Sequence, residues 1–378
     1  MYLYILTSAL YRLSCGALII AVNWLMVISS SSLGWLATTV ALTFIPAMVV
    51  PLIWRGSNGN LSGKTLTQYS LLAAAVISVI MFMTDSQYFL LGLNTVIWFF
   101  FFVMESSWES WFASECKNLN DKEIERFSSI TMTANQAALM IGPVVVAYIF
   151  ENQPEYVILS CAVLYLFCFI ALWFAGSDKP VLSNHSTGEA EPSDKLQHLK
   201  ISGVEAALLL IWPTLAMFNF MLPAQVVAAH GSMTQVGLLD ALMGVGMIVS
   251  GFVVAHAGLN RIIVKYQLTS VLIIIAMLLW GLGGNIVCWL LAVFLLGVSF
   301  NSQRIIVRGE LAKKYHPNLV GKIVSGANAF SFILISFSLM VFHGKINVNW
   351  IIPFVFSLLM GVIIPLKGKS ENSAERSR

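Results

Sequence analysis

Apolar runs of about twenty residues, broken by short charged or turn-forming segments, repeat along almost the whole chain. A helix needs about 20 such residues to cross the hydrocarbon core of a bilayer, so each run predicts one crossing. The pattern predicts six helices in the first half, at 4–29, 33–54, 66–84, 88–113, 129–150 and 156–175. Six more follow at 204–229, 234–256, 266–284, 286–306, 322–342 and 349–366. The first run contains Arg12 and continues to Val27, which is longer than the apolar region of a secretory signal, so it reads as a spanning helix. The longest polar break, 176–200, contains Pro180, Asn184 and Pro192 and reads as a flexible linker. The expected fold is an all-α integral membrane protein with twelve transmembrane helices in two pseudo-symmetric six-helix bundles. Residues 1–176 form the first bundle, 177–202 a cytoplasmic linker, and 203–378 the second bundle with a short tail.

Composition excludes the main alternatives. Of 378 residues, 58% are apolar and only 10% are charged, against about 25% charged in a soluble domain. No polar stretch approaches the roughly 100 residues of a water-soluble catalytic domain. The 21 Lys and Arg nearly cancel the 18 Asp and Glu, so nothing points to nucleic acid. Their placement says more. Eighteen of the basic residues, Arg308, Lys313 and Lys314 among them, fall on one set of alternating loops, and only Lys345 falls on the other. Positive charge is retained on the cytoplasmic side during insertion, which places both termini and the linker there. The five cysteines are odd in number and form no CxxC pair, so they read as reduced packing residues. With no His/Cys metal cluster, no spaced nucleophile and base, and no glycine-rich phosphate loop, the sequence does not read as an enzyme.

The chemistry is carried by the few charges inside apolar runs. A charge at mid-bilayer costs about 2.5 to 3.5 kcal/mol even on an insertion scale, so such groups face a partner or water. Arg12, Glu105, Glu109, Asp240 and Arg304 qualify. At 100° per residue Ser8, Arg12, Gly16 and Asn23 share one narrow face of the first helix. Asn94, Trp98, Phe101, Glu105, Trp108 and Glu109 fall within about 100° of arc on the fourth. Arg12 and Glu105 lie at matching depth, roughly 12 Å from the inner boundary. They are placed to pair, either as a structural staple or as a carboxylate that exchanges its arginine for a proton or substrate. Arg304, with Asn301 and Gln303 near it, is a substrate-binding or snorkelling residue at the end of the tenth run. Asp240, beside Gly244 and Gly251, is a secondary proton site. Asn219, Asn135 and Asn328 are interhelical hydrogen-bonding or ligand residues. A weak internal repeat aligns Glu115 with Glu310 and Asn135 with Asn328.

On these features the chain resembles the major facilitator superfamily, in particular its compact bacterial exporters of drugs and siderophores. The local marks are Gly142-Pro143 within residues 138–147, which looks like the antiporter motif of helix 5, and Gly237 to Gly246 opening helix 8. In the family the Gly-Pro kink helps helix 5 pack and seal one side of the cavity and is associated with export. The loop motif after helix 2 is degenerate here, reading Pro51 to Gly56 without its aspartate, and helix 4 lacks the usual early arginine. The resemblance implies that helices 1, 4, 7 and 10 line a central cavity. With those motifs degenerate, the family's gating ion pair and proton-relay assignment do not transfer. On the residues' own placement, proton coupling falls to Glu105, Glu109 and Asp240, and substrate binding to Arg12, Asn23, Trp98, Trp108, Asn219, Asn301 and Arg304. The expected function is proton-coupled export of a small polar, anionic or zwitterionic metabolite, siderophore-like, or of a drug. The alternatives are import of a similar solute, or a non-transporting scaffold or sensor of the same fold. The proton gradient would be the energy source, with no cofactor and no metal. The partners would be a small-molecule substrate and the lipid bilayer, and the chain would work as a monomer in a bacterial cytoplasmic membrane.

Overall fold

A computed structural model describes residues 1–30, 42, 45–54, 62–149, 155–175, 203–230, 233–256, 262–342 and 350–361. The first half comprises α1 (Tyr2–Ser30), α2 (Ile45–Trp54), α3 (Gly63–Phe82), α4 (Gln87–Cys116), α5 (Asp121–Ile149) and α6 (Glu155–Phe174). The second comprises α7 (Gly203–Ala228), α8 (Met233–His256), α9 (Ile262–Leu282), α10 (Ile286–Lys314), α11 (Pro317–Phe342) and α12 (Ile351–Gly361). No strand occurs among the described residues. Six of these helices are long and apolar enough to cross a membrane: α3, α4, α6, α8, α10 and α11. The expected linker lies outside the described residues.

Two helices run about two turns beyond their apolar runs, which corrects the expected bounds. α5 begins at Asp121 rather than at Ser129, because Asn120 and Glu123 form a reciprocal capping box. The Asn120 side chain accepts from the Glu123 amide and the Glu123 carboxylate accepts from the Asn120 amide, both at 3.0 Å. α10 continues past Ile306 to Lys314, where Lys313 and Lys314 complement the negative end of the helix. Lys313 also pairs with Glu310 one turn back at 3.3 Å. Pro317 prevents further extension and itself starts α11. Several basic residues assigned to loops, Arg126, Arg308 and Lys313 among them, therefore stand on helices.

Each half has its own apolar core. Tyr4, Leu18, Met104, Phe112 and Tyr165 belong to the first, and Phe218, Met243, Trp280 and Phe300 to the second. Helix pairings repeat with an offset of six: α1 packs on α5 as α7 packs on α11, and α3 on α4 as α9 on α10. Across the halves α5 meets α8 and α10, while α4 meets α10 and α11. Exposed Val163, Phe167, Trp173, Phe252 and Phe337 give the outside an apolar skin suited to lipid. Cys15, Cys116, Cys161 and Cys168 are buried and, with the partly buried Cys288, carry free thiols.

In an up-and-down bundle, the start of α1 shares a face with the ends of α2, α4, α8 and α10 and the starts of α5 and α11. This is the face with most of the basic residues, and the halves close upon each other there. The Ser129 hydroxyl donates to the Gly251 carbonyl of α8, and the Ser128 hydroxyl to the Ile305 carbonyl of α10 at 3.0 Å. Gly321 of α11 lies against the ring of Trp54 from α2, and Gly251 against Thr133 from α5. Further along the same α5–α8 crossing, Met140 fills the space that a side chain at Gly244 would need.

Candidate functional site

α4 presents Glu105 and Glu109 four residues apart, hence on one face, and that face looks toward both α1 and α10. Arg12 of α1 forms an ion pair with Glu105, with both side chains about one-fifth exposed, 18% and 20%. The guanidinium also lies 5.5 Å from the ring centroid of Tyr11. The pair expected from matched depth is therefore present.

Glu109 is held by a different arginine. The Nε of Arg308 donates to its Oε2 at 2.7 Å, and Arg308 is only 5% exposed. Nη2 of the same guanidinium donates to the Tyr4 hydroxyl, which in turn donates to the Trp108 carbonyl at 3.0 Å. The Arg308 guanidinium stands 3.9 Å from the ring centroid of Phe112 and 5.6 Å from that of Tyr4. Cation–π contacts of this kind are worth about 2 kcal/mol when desolvated. Nη1 has no hydrogen-bond partner among the described residues. This corner ties α1 and α4 of one half to α10 of the other. Removing one partner of a buried pair leaves an uncompensated charge and costs about 3 to 5 kcal/mol, so the corner resists piecemeal opening.

Arg304, one turn before Arg308, makes no ion pair among the described residues. It stacks over Trp212 of α7, 4.4 Å from the ring centroid. Glu105, Glu109, Trp212, Arg304, Arg308 and Asn328 line one cavity of about 40 Å³ between the halves. At about 10–15 Å³ per water by this measure, that is room for some three waters. Two carboxylates and two guanidiniums thus share a small chamber whose other walls, Met132, Leu208, Ile211, Val307, Leu311 and Val324, are apolar.

The other expected site residues lie elsewhere or play a packing part. Trp108 is buried under Tyr4, Tyr11 and Trp111, with centroids 5.2, 6.0 and 5.1 Å away. Trp98 lies on α4, packed on Phe101 and Phe102. Asn301 is buried and spends its amide on α8, donating to the Met247 carbonyl at 2.8 Å and the Ser250 hydroxyl at 2.7 Å. Asn219 and Asp240 are exposed on α7 and α8 and do not line the cavity. The side chains of Asn23 and Pro143 lie outside the described residues, although α5 runs on through position 143. Gly142 is a close-approach residue within the first half: a Cβ there would stand 3.0 Å from the Ala17 amide nitrogen of α1. Asn135 receives a hydrogen bond from Ser8 at 2.9 Å and so links α5 to α1.

Arg308, Tyr4 and Trp212 are the members the apolar pattern did not mark. Arg308 sits in the polar tail of α10 and was counted with the loop charges. Its signal is spacing, since Arg304 and Arg308 repeat on α10 the four-residue interval of Glu105 and Glu109 on α4. No group of three or more His, Cys, Asp or Glu able to hold a metal ion occurs among the described residues.

A family model described as Major Facilitator Superfamily matches residues 4–339. No curated protein matches the sequence. Among solved structures, the human organic anion transporter MFSD10 superposes with a TM-score of 0.74 at 14% identity, covering 96% of this chain and 98% of that one. A bacterial homologue of the iron transporter ferroportin, in an outward-facing state with soaked iron, gives 0.75 at 14% identity over 97% and 98%. The transporter FucP in its outward conformation gives 0.68 at 12% identity over 97% and 98%. At these identities the likeness concerns the fold.

Proposed function

The chain belongs to the major facilitator superfamily, a family of membrane transporters, and from that premise we propose that it exports a small zwitterionic or anionic solute in exchange for protons. The solute is a carboxylate-bearing metabolite, siderophore-like, or a drug of similar charge. The observation that carries this is a chamber where Arg304, without a carboxylate partner among the described residues, stands beside Glu105 and Glu109. Arg304 takes the anionic group of the solute, and the Trp212 ring gives an apolar wall. Glu105 or Glu109 takes either a proton or the solute's cationic group, so the two ligands exclude one another. The charged and titratable neighbours of the carboxylates include Tyr4, Tyr11, Arg12 and Cys15 on α1, Cys116 on α4, and Arg304 and Arg308 on α10. Alternating access follows if the halves rock about this chamber. The basic face is the cytoplasmic one in the membrane of a bacterium, and contacts of Ser128, Ser129 and Gly321 between the halves lie near it.

A second reading rests on the clamps themselves. Because Arg12 and Arg308 each hold a carboxylate, protonation would free an arginine for an anion. Proton and solute would then travel together, which drives import.

One experiment separates the two: purified protein in proteoliposomes with a lumenal pH dye, given small carboxylates and zwitterions under an imposed pH gradient. Exchange predicts proton movement opposite to solute, with about tenfold accumulation per pH unit for one proton. Glu105→Gln and Glu109→Gln should abolish the coupling, at least in the double variant. If both variants, singly and together, move solute uphill as well as the parent, the carboxylate mechanism is wrong. Proton movement in the same direction as solute selects import.

A further inference from the structure

Beyond the general solute site, the unsatisfied edge of Arg308 has a chemical use. The guanidinium offers five donors in a fixed fork. Nε is taken by Glu109 and Nη2 by Tyr4, while Nη1 has no partner among the described residues although the side chain is 5% exposed. A buried charged donor left unpaired is costly, and such groups ordinarily find a partner. Arg308 lines the same chamber as Arg304, one helical turn away on α10, and Asn328 of α11 completes that wall with a side-chain amide. From these observations we infer that Arg304, Nη1 of Arg308 and Asn328 form a seat for one oxyanion, such as the carboxylate of the transported solute. Arg308 keeps its hold on Glu109 while it serves the ligand.

Charge counting fixes the valence. Arg12, Arg304 and Arg308 face Glu105 and Glu109, which leaves one uncompensated positive charge in the cluster. One monoanionic group neutralises it, whereas a second anionic group would meet two carboxylates with no further cation among the described lining residues. The seat thus selects monocarboxylate ends over dianions, and it rests on the chamber being the solute site proposed above.

The test is binding of radiolabelled benzoate to the full chain in lipid nanodiscs, with no gradient imposed. Saturable binding displaced by acetate, but not by neutral methyl benzoate, cationic benzylamine or dianionic phthalate at equal concentration, is the expected result. Losing one charge-assisted contact should weaken benzoate about tenfold or more in Arg304→Gln and in Arg308→Lys, which retains the charge but not the fork. Glu109→Gln removes a competing negative charge and should tighten benzoate, an outcome that a misfolded or merely loosened variant does not give. The seat is overturned if no saturable binding occurs, if methyl benzoate or phthalate competes as well as acetate, or if Arg308→Lys binds benzoate like the parent. Coupled flux with no selectivity for monoanions would sink the seat and leave the transport reading standing. Selective benzoate binding without any gradient-driven flux would do the reverse.

Discussion

Replacing Gly321 by alanine should push the two halves apart on the basic face. A Cβ at this position would stand 2.5, 2.6 and 2.8 Å from the Cη2, Cζ2 and Cζ3 atoms of Trp54. Carbon atoms in contact prefer about 3.5 to 4.0 Å, so three ring atoms are overlapped by about 1 Å. The indole cannot swing aside, since it is 2% exposed, packed with Val50 and Val103, and donates from Nε1 to the Ser106 hydroxyl at 2.8 Å. What yields is the gap between α2 of one half and α11 of the other. Overpacking of this kind costs about 1 to 3 kcal/mol, and the cost applies only to the closed arrangement. The ratio of closed to open molecules should fall about 5- to 150-fold. Cys116 reports it: the thiol is buried at the end of α4, in a core against which Ala312 of α10 packs. Its rate of modification by N-ethylmaleimide, read peptide by peptide in nanodiscs, should rise by up to that factor. Gly326→Ala is the control, on the same helix with nothing within 4 Å of the added carbon. Equal rates for parent and Gly321→Ala, or an equal rise in both variants, would refute the reasoning.

Other outcomes follow from the same geometry. Arg12→Gln should destabilise the protein by about 3 kcal/mol or less, since the pair with Glu105 is partly exposed, and adding Glu105→Gln should recover much of the loss. A double-mutant cycle from denaturation midpoints checks this, and simple additivity would show the two side chains to be uncoupled. Gly142→Ala brings a methyl against α1 backbone at Leu13 and Ala17, which cannot rotate away, and should lower stability by about 1 to 3 kcal/mol. Gly309→Ala meets nothing within 4 Å and should instead raise stability by about 0.5 to 1 kcal/mol in the same measurement.

The helices were legible because each crossing must be built from an apolar run of nearly fixed length. Their ends were less so: the capping box of Asn120 and Glu123 and the lysine-rich end of α10 carry helix into polar sequence where run length is silent. The Arg12–Glu105 pair could be read from depth alone, since each helix measures its own distance from the boundary. Arg308 could not, because its position near the end of α10 is equally suited to a snorkelling side chain. Only the tertiary meeting of α10 with α4 distinguishes the two. For Asn301, nearness to Arg304 in sequence does not fix which neighbour its side chain meets, and the structure assigns its amide to α8.

The contacts of Ser128 and Ser129 with main-chain carbonyls bear on speed rather than affinity. A hydroxyl that leaves a carbonyl finds an almost equivalent partner in the first water molecule to arrive. That line of contact can wet and dry again at little enthalpic loss. The resistance to each turnover is therefore concentrated in the arginine-bound corner, and slow cycles should reflect its release rather than the sliding of α5 on α8.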